Sequence, residues 1–135
     1  MGTVAVVYDT NVLVSGIGFG GKPWDCLLLS FVGDAEMVTS EPALSEFERV
    51  LGYDRLPFTA EEQEVFPRLI RNEATVIDPH VDVTEIEDDP DDDVFLECAT
   101  AAGVEYLVSG NDHVLDVGNF RGTEVVSPDE FLRRY

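Results

Sequence analysis

The sequence predicts an α/β protein: a three-layer α/β/α sandwich around a central, mostly parallel sheet. Three observations carry that expectation. Short apolar runs rich in β-branched residues recur along the chain, segments with apolar residues at helical spacing separate them, and the connections between them are short. At 135 residues the chain suits one domain, 1–135, built on one core.

Val4 to Tyr8 is a continuous apolar run, the pattern of a strand covered on both faces. Asn11 to Ser15 has helical character, but Gly16, Gly18, Gly20 and Gly21 predict a flexible loop until Pro23, which suits a first helical position. Trp24 to Val32 reads as helix and Glu36 to Thr39 as a second strand, after which Ser40 is a natural N-cap. Leu44, Phe47, Val50 and Leu51 then mark a helix that Gly52 closes. Thr59-Ala60-Glu61-Glu62 has capping-box spacing, and Val65, Phe66, Leu69 and Ile70 are the expected buried stripe of the helix it starts.

Ala74 to Ile77 is the third strand. Pro79 to Asp93 is acidic and carries two prolines, so a loop is expected there, turning helical near Asp91 or Asp92 and running to Ala102 with Gly103 as C-cap. Tyr106 to Val108 is a strand, Asp112 to Val117 a short helix, and Thr123 to Val126 a final edge strand. Ser127-Pro128-Asp129-Glu130 combines an N-cap, a first-turn proline and a capping glutamate before Phe131 and Leu132.

With 28 acidic against 8 basic residues the net charge is −20, and Lys22 is the one lysine. Disorder would need poorer hydrophobicity than the 44% seen here. The acidity reads as the solvation strategy of an extreme halophile, because molar salt shortens the screening length to about 3 Å. An acidic protein with a basic partner is the alternative. No window approaches the roughly 18 apolar residues of a membrane span, so no membrane is expected as a partner. Met1-Gly2-Thr3 leads straight into a strand-like run instead of a basic region and long apolar stretch, and a cytoplasmic location is expected. Cys26 and Cys98 lack C-x-x-C spacing and a neighbouring His, so both read as core residues and neither zinc nor a disulfide is indicated.

In open parallel sheets ligands bind beyond the carboxyl ends of the strands. Asp9 lies just past the first strand and Asn111-Asp112 just past the Tyr106 strand. Glu46 falls in the first turns of the helix after the second strand, and Asp92 in the first turn of the helix before the Tyr106 strand. Taken singly, Asp9 reads equally as a helix cap, Asp92 as a helix-dipole acid and Glu46 as an exposed charge. Jointly they form a wall of carboxylates that stays ionised only if cations neutralise it, and oxygen donors suit Mg²⁺ or Mn²⁺.

These residues resemble the PIN-domain ribonucleases, in particular the VapC-like toxins of toxin–antitoxin systems. The likeness rests on VVYDTNVLVSG, on VTSEPALSEFERVL around Glu46, on DPDDDVFLECA around Asp92 and on YLVSGNDHVLDV. It implies that Asp9, Glu46 and Asp92, the last counted back from Ala99, bind the metal and carry catalysis. It also implies that Asn11 and Ser109 hydrogen-bond the carboxylates or the water on the metal and orient the cluster. The family's fourth aspartate is Asn111 here, with Asp112 next to it, so one of the two would serve as the remaining ligand.

The resemblance therefore implies a metal-dependent endoribonuclease leaving 5′-phosphate and 3′-hydroxyl ends, with RNA as substrate, an antitoxin as protein partner and a homodimer as its assembly. Residues from Phe19 to Leu29 suit a dimer interface or, alternatively, the core. On so acidic a chain the arginines are informative: Arg49 and Arg55, or Arg68 and Arg71, offer local positive charge to RNA, unless they form internal ion pairs. A PIN-like binding domain of weak activity, acting through an antitoxin or another protein, is the competing reading. A receiver or phosphatase fits less well, since the late lysine of the one and the D-x-D-x-T start of the other are missing. His80 and His113 stand apart from any serine or cysteine nucleophile.

Overall fold

The computed structural model describes residues 3–79 and 93–134. In chain order the elements are β1 (Val4–Tyr8), α1 (Thr10–Phe19), α2 (Gly21–Phe31), β2 (Ala35–Ser40), α3 (Glu41–Leu51), α4 (Ala60–Glu73) and β3 (Thr75–Ile77). They continue as α5 (Asp93–Ala102), β4 (Tyr106–Val108), α6 (Asp112–Leu115), β5 (Asn119–Phe120), β6 (Thr123–Val126) and α7 (Pro128–Arg134). The sheet order is β3-β2-β1-β4-β6-β5, parallel throughout except for β5, which runs antiparallel to β6. This is the mostly parallel α/β fold expected.

β1 lies between β2 and β4, and its side chains alternate between two cores. Val6 and Tyr8 face a cluster with Val12, Leu27, Phe47 and Phe131, whereas Val7 faces Phe95, Ala99, Leu107 and Val114. Burial on both faces explains why the run is apolar without alternation. The two thiols divide between the layers, Cys26 in the first core and Cys98 in the second, and both are free.

Four local expectations are corrected. α1 continues as helix through Gly16 and Gly18, where a loop was expected. The glycines are there for close approach: a Cβ on Gly16 would lie 2.5 Å from Leu27 Cδ1 and 3.1 Å from the Pro23 carbonyl carbon, and one on Gly18 would lie 2.5 Å from the Phe58 ring. α2 starts at Gly21, two residues before Pro23. On α4, Ile70 is buried but Val65 and Leu69 are exposed, because α4 covers the core through a narrower stripe than its apolar content suggests. β6 is not an edge, since the two-residue β5 pairs outside it through the Arg121-Gly122 turn, both residues at positive φ.

Connectivity also positions the site. From β1 the chain steps to β2 and β3 on one side, then crosses to β4 on the other. α1, after β1, packs into the first core and α6, after β4, into the second, so the carboxyl ends of β1 and β4 form a switch point of the sheet.

Candidate active site

Asp9 lies at that switch point, one residue beyond β1. Its backbone N–H donates to Val108 O at 3.0 Å, extending the β1–β4 ladder by one residue and fixing where the side chain leaves the sheet. Asp9 Oδ1 accepts the Val12 N–H at 2.9 Å and so caps α1. Oδ2 accepts a hydrogen bond from the Ser109 hydroxyl. Ser109 is itself fully buried, its N–H donates to Val126 O at 2.9 Å, and its Oγ accepts the Asn111 N–H at 3.0 Å. One hydroxyl thus ties Asp9 to the ends of β4 and β6 and to the loop after β4.

The capping role weighed for Asp9 is real, but it does not exhaust the carboxylate, which has about four lone-pair sites. Asp9 is 2% exposed, and burial pushes its pKa up to about 6. The Ser109 hydroxyl and the backbone N–H groups of Val12, Gly110 and Asn11 pull the other way without restoring the ordinary value. Next to it Thr10 is buried, and its hydroxyl has no hydrogen-bond partner among the described residues. Sequence reasoning passed over Thr10; the only signal was its place beside Asp9.

Glu46 lies on α3 between buried Ala43 and Val50, one turn from each, and its side chain is 18% exposed. The Arg49 guanidinium, three residues on, donates to Glu46 Oε2. Asp92 lies outside the described residues, as does His80. Asn111 accepts the His113 N–H on Oδ1 at 2.9 Å and caps α6, and Asp112 is exposed in the first turn of that helix. Asn11 is exposed, and its backbone N–H is the part turned towards Asp9. Among the described residues no three His, Cys, Asp or Glu side chains gather to hold an ion, so Asp112 does not complete a triad with Asp9 and Glu46.

The expected RNA contacts fare differently. Arg55 lies over the Tyr53 ring, 5.0 Å from its centre. Arg68 pairs with Glu64 at 2.7 Å, and Arg71 makes a two-pronged contact with Glu41 at 2.5 and 2.9 Å. Internal pairing, the alternative weighed above, accounts for Arg49, Arg68 and Arg71.

The donors fit a hard divalent cation. They are carboxylate and hydroxyl oxygens, one of the carboxylates desolvated and short of positive charge, with a buried hydroxyl unsatisfied beside it. Zinc finds no equivalent among the described residues: burial pushes the Cys26 thiol up to about 12 and the Cys98 thiol up to about 11, so both stay protonated.

A sequence model of the PIN domain matches residues 5–113. The chain belongs to the PIN-domain family. PIN domains are in general nucleases. Among solved structures this PIN domain is similar to VapBC2 from Rickettsia felis, crystallised bound to a DNA fragment from their promoter. The TM-score is 0.63 at 13% identity, over 92% of this chain and 98% of that one. At that identity the likeness is one of fold. No curated protein matches this PIN domain.

Proposed function

We propose that this PIN domain is a metal-dependent endoribonuclease, the toxin of a toxin–antitoxin pair. The observation that carries the reading is Asp9, a carboxylate pushed up to about 6 by burial at the rim where open sheets bind ligands. An isolated ionised carboxylate is costly to bury, and a divalent cation removes that cost. Asp9, Glu46 and Asp92 would hold Mg²⁺ or Mn²⁺, with Asn111 or Asp112 as the remaining ligand. When bound, the ion lowers the pKa of water and offsets the charge of the scissile phosphate and its departing 3′-oxygen.

The chain's own groups prepare that chemistry. The Val12 N–H and the Ser109 hydroxyl each hold one oxygen of Asp9, so its rotamer is set before any ligand arrives. The Asn111 N–H in turn holds Ser109, so the loop after β4 orients the carboxylate through one hydroxyl. No side-chain nucleophile is needed, and water attacks phosphorus in line.

The likeness to VapBC2 supports an antitoxin as partner. A homodimer is supported by α2 and its C-cap, where Trp24, Leu28 and the capping Val32 form an exposed apolar row at four-residue spacing, with Phe19 also exposed. The net charge of −20 supports a cytoplasm of molar salt as the setting. No helix among the described residues is long and apolar enough to cross a membrane.

The test is cleavage of a mixed RNA pool in high salt, with and without Mn²⁺, using Asp9→Asn as control. Mn²⁺-dependent products from the wild type alone are expected. The same background from both proteins would overturn the reading and leave a role in binding.

A further inference from the structure

We propose that the outer face of α4, together with the exposed tip of α1, docks a basic amphipathic helix of a protein partner. The inference rests on the reading of the chain as one half of a protein pair and not on the nuclease chemistry.

Glu61, Val65, Leu69 and Glu73 follow one another at four-residue spacing, so they form a single ridge along α4. Val65 and Leu69 are 45% and 43% exposed. Phe66, three residues before Leu69 and on its side of the helix, meets Phe58 edge-on with the ring centres 5.9 Å apart. Phe58 in turn lies 6.0 Å from Phe19, which is 64% exposed, and Gly18 leaves room for its ring. Contact by contact, apolar surface runs from the tip of α1 across the connection between α3 and α4 and onto α4. Single exposed apolar residues are ordinary, but a contiguous run marks an interaction site.

Charge decides the occupant. Glu61 and Glu73 close the ridge at its two ends, both are exposed, and neither joins an ion pair among the described residues. The arginines of α4 are engaged elsewhere, Arg68 with Glu64 and Arg71 with Glu41 on α3. A second copy of this chain would bring a net charge of −20 towards these carboxylates and has no cation to spare. Of its 8 basic residues, Lys22, Arg49, Arg68, Arg71, Arg133 and Arg134 engage carboxylates, and Arg55 and Arg121 lie over rings. A different protein, with Lys or Arg flanking the apolar stripe of a helix, supplies what the ridge lacks. Val65 and Leu69 then meet its apolar stripe, and Glu61 and Glu73 meet its cations.

Fluorescence anisotropy with labelled peptides tests this on the full chain in about 0.5 M KCl, where unspecific attraction is largely screened. One peptide is a helix as long as α4 with leucines on one face and lysines on the other; the second scrambles the same residues, and the third replaces lysine by glutamate. The first should bind the wild type about tenfold more tightly than the scrambled one, and the acidic one should bind weakest. The double variant Val65→Ser, Leu69→Ser should lose about tenfold in affinity for the first peptide, the scale of two interface anchors. Glu61→Gln with Glu73→Gln should lose about two- to threefold, more than Asp34→Asn with Glu105→Gln, which removes the same charge elsewhere. All these side chains are exposed, so the fold is retained. In methyl NMR of the wild type, the first peptide should shift Val65 and Leu69 and leave Leu28 on α2 in place. Equal affinity for the first and scrambled peptides overturns the proposal, as does a double serine variant that binds like the wild type. Self-association of the wild type that the double serine variant abolishes gives the ridge to a second copy and also overturns it. Shifts centred on Leu28 overturn this face alone and keep a partner, and since no arm uses RNA or metal, the nuclease reading stands or falls separately.

Discussion

Asp9 is held by two good hydrogen bonds and is still badly placed as an anion, because burial outweighs both. Its ordinary pKa is 3.8, so between there and about 6 the folded chain binds the proton more tightly than the unfolded one. The stability that protonated Asp9 contributes is complete below 3.8 and is lost as pH rises through about 6. With a chelator present, Asp9→Asn should therefore outlast the wild type at about pH 8 by roughly 2–3 kcal/mol in urea unfolding, at ~1.4 kcal/mol per unit of pKa. Near pH 4 the gap should close. Adding Mn²⁺ should stabilise only the wild type, and a wild type equal to the variant at pH 8 without metal would refute the account. Ser109 was legible in advance only as a family position. That its hydroxyl also links Asp9 to Asn111 depends on β4 and β6 ending side by side, which no local pattern encodes.

Elements with their own start and stop signals were read correctly. The Thr59–Glu62 capping box is present in both directions, and the Ser127–Glu130 pair repeats it at α7. Capping is local chemistry, so the sequence displays it. α1 is the opposite case, because a glycine that breaks a helix and one that lets a neighbouring helix approach look the same in one dimension. Gly16 separates the two. Alanine there gains about 1 kcal/mol of helix propensity but drives a methyl against Leu27 and the Pro23 backbone, at a cost of roughly 1–3 kcal/mol. Gly16→Ala should lower stability in urea unfolding by up to about 2 kcal/mol with an unchanged m-value. A more stable variant would mean that α1 and α2 are not in such close contact. Val65 and Leu69 were misjudged for a related reason: apolar periodicity reports a face, and the width that gets covered is decided by the partner.

For the molecule as a whole, alternation of strands and helices was enough to predict the layers and the rim on which Asp9, Ser109 and Asn111 meet. The charge was legible too, but not its distribution. Lys22, Arg49, Arg68, Arg71, Arg133 and Arg134 each engage a carboxylate, and Arg55 and Arg121 lie over rings. Pairing at single sites leaves the net charge of −20 unrelieved across the surface, so folding should depend on screening. Raising KCl from about 0.1 M to about 2 M should raise Tm by on the order of 5–10 °C, read by circular dichroism at constant pH. A flat response would show that repulsion does not limit this fold.

The margins of the sheet matter once salt has weakened that repulsion. Among the described residues β3 is three residues long and β5 two, so each side of the described sheet ends in a stub. A neighbouring molecule searching for unpaired backbone groups finds almost nothing to extend, which blocks strand-by-strand growth into fibrils. In concentrated electrolyte, where like charge no longer holds molecules apart, short margins are the barrier to aggregation that remains.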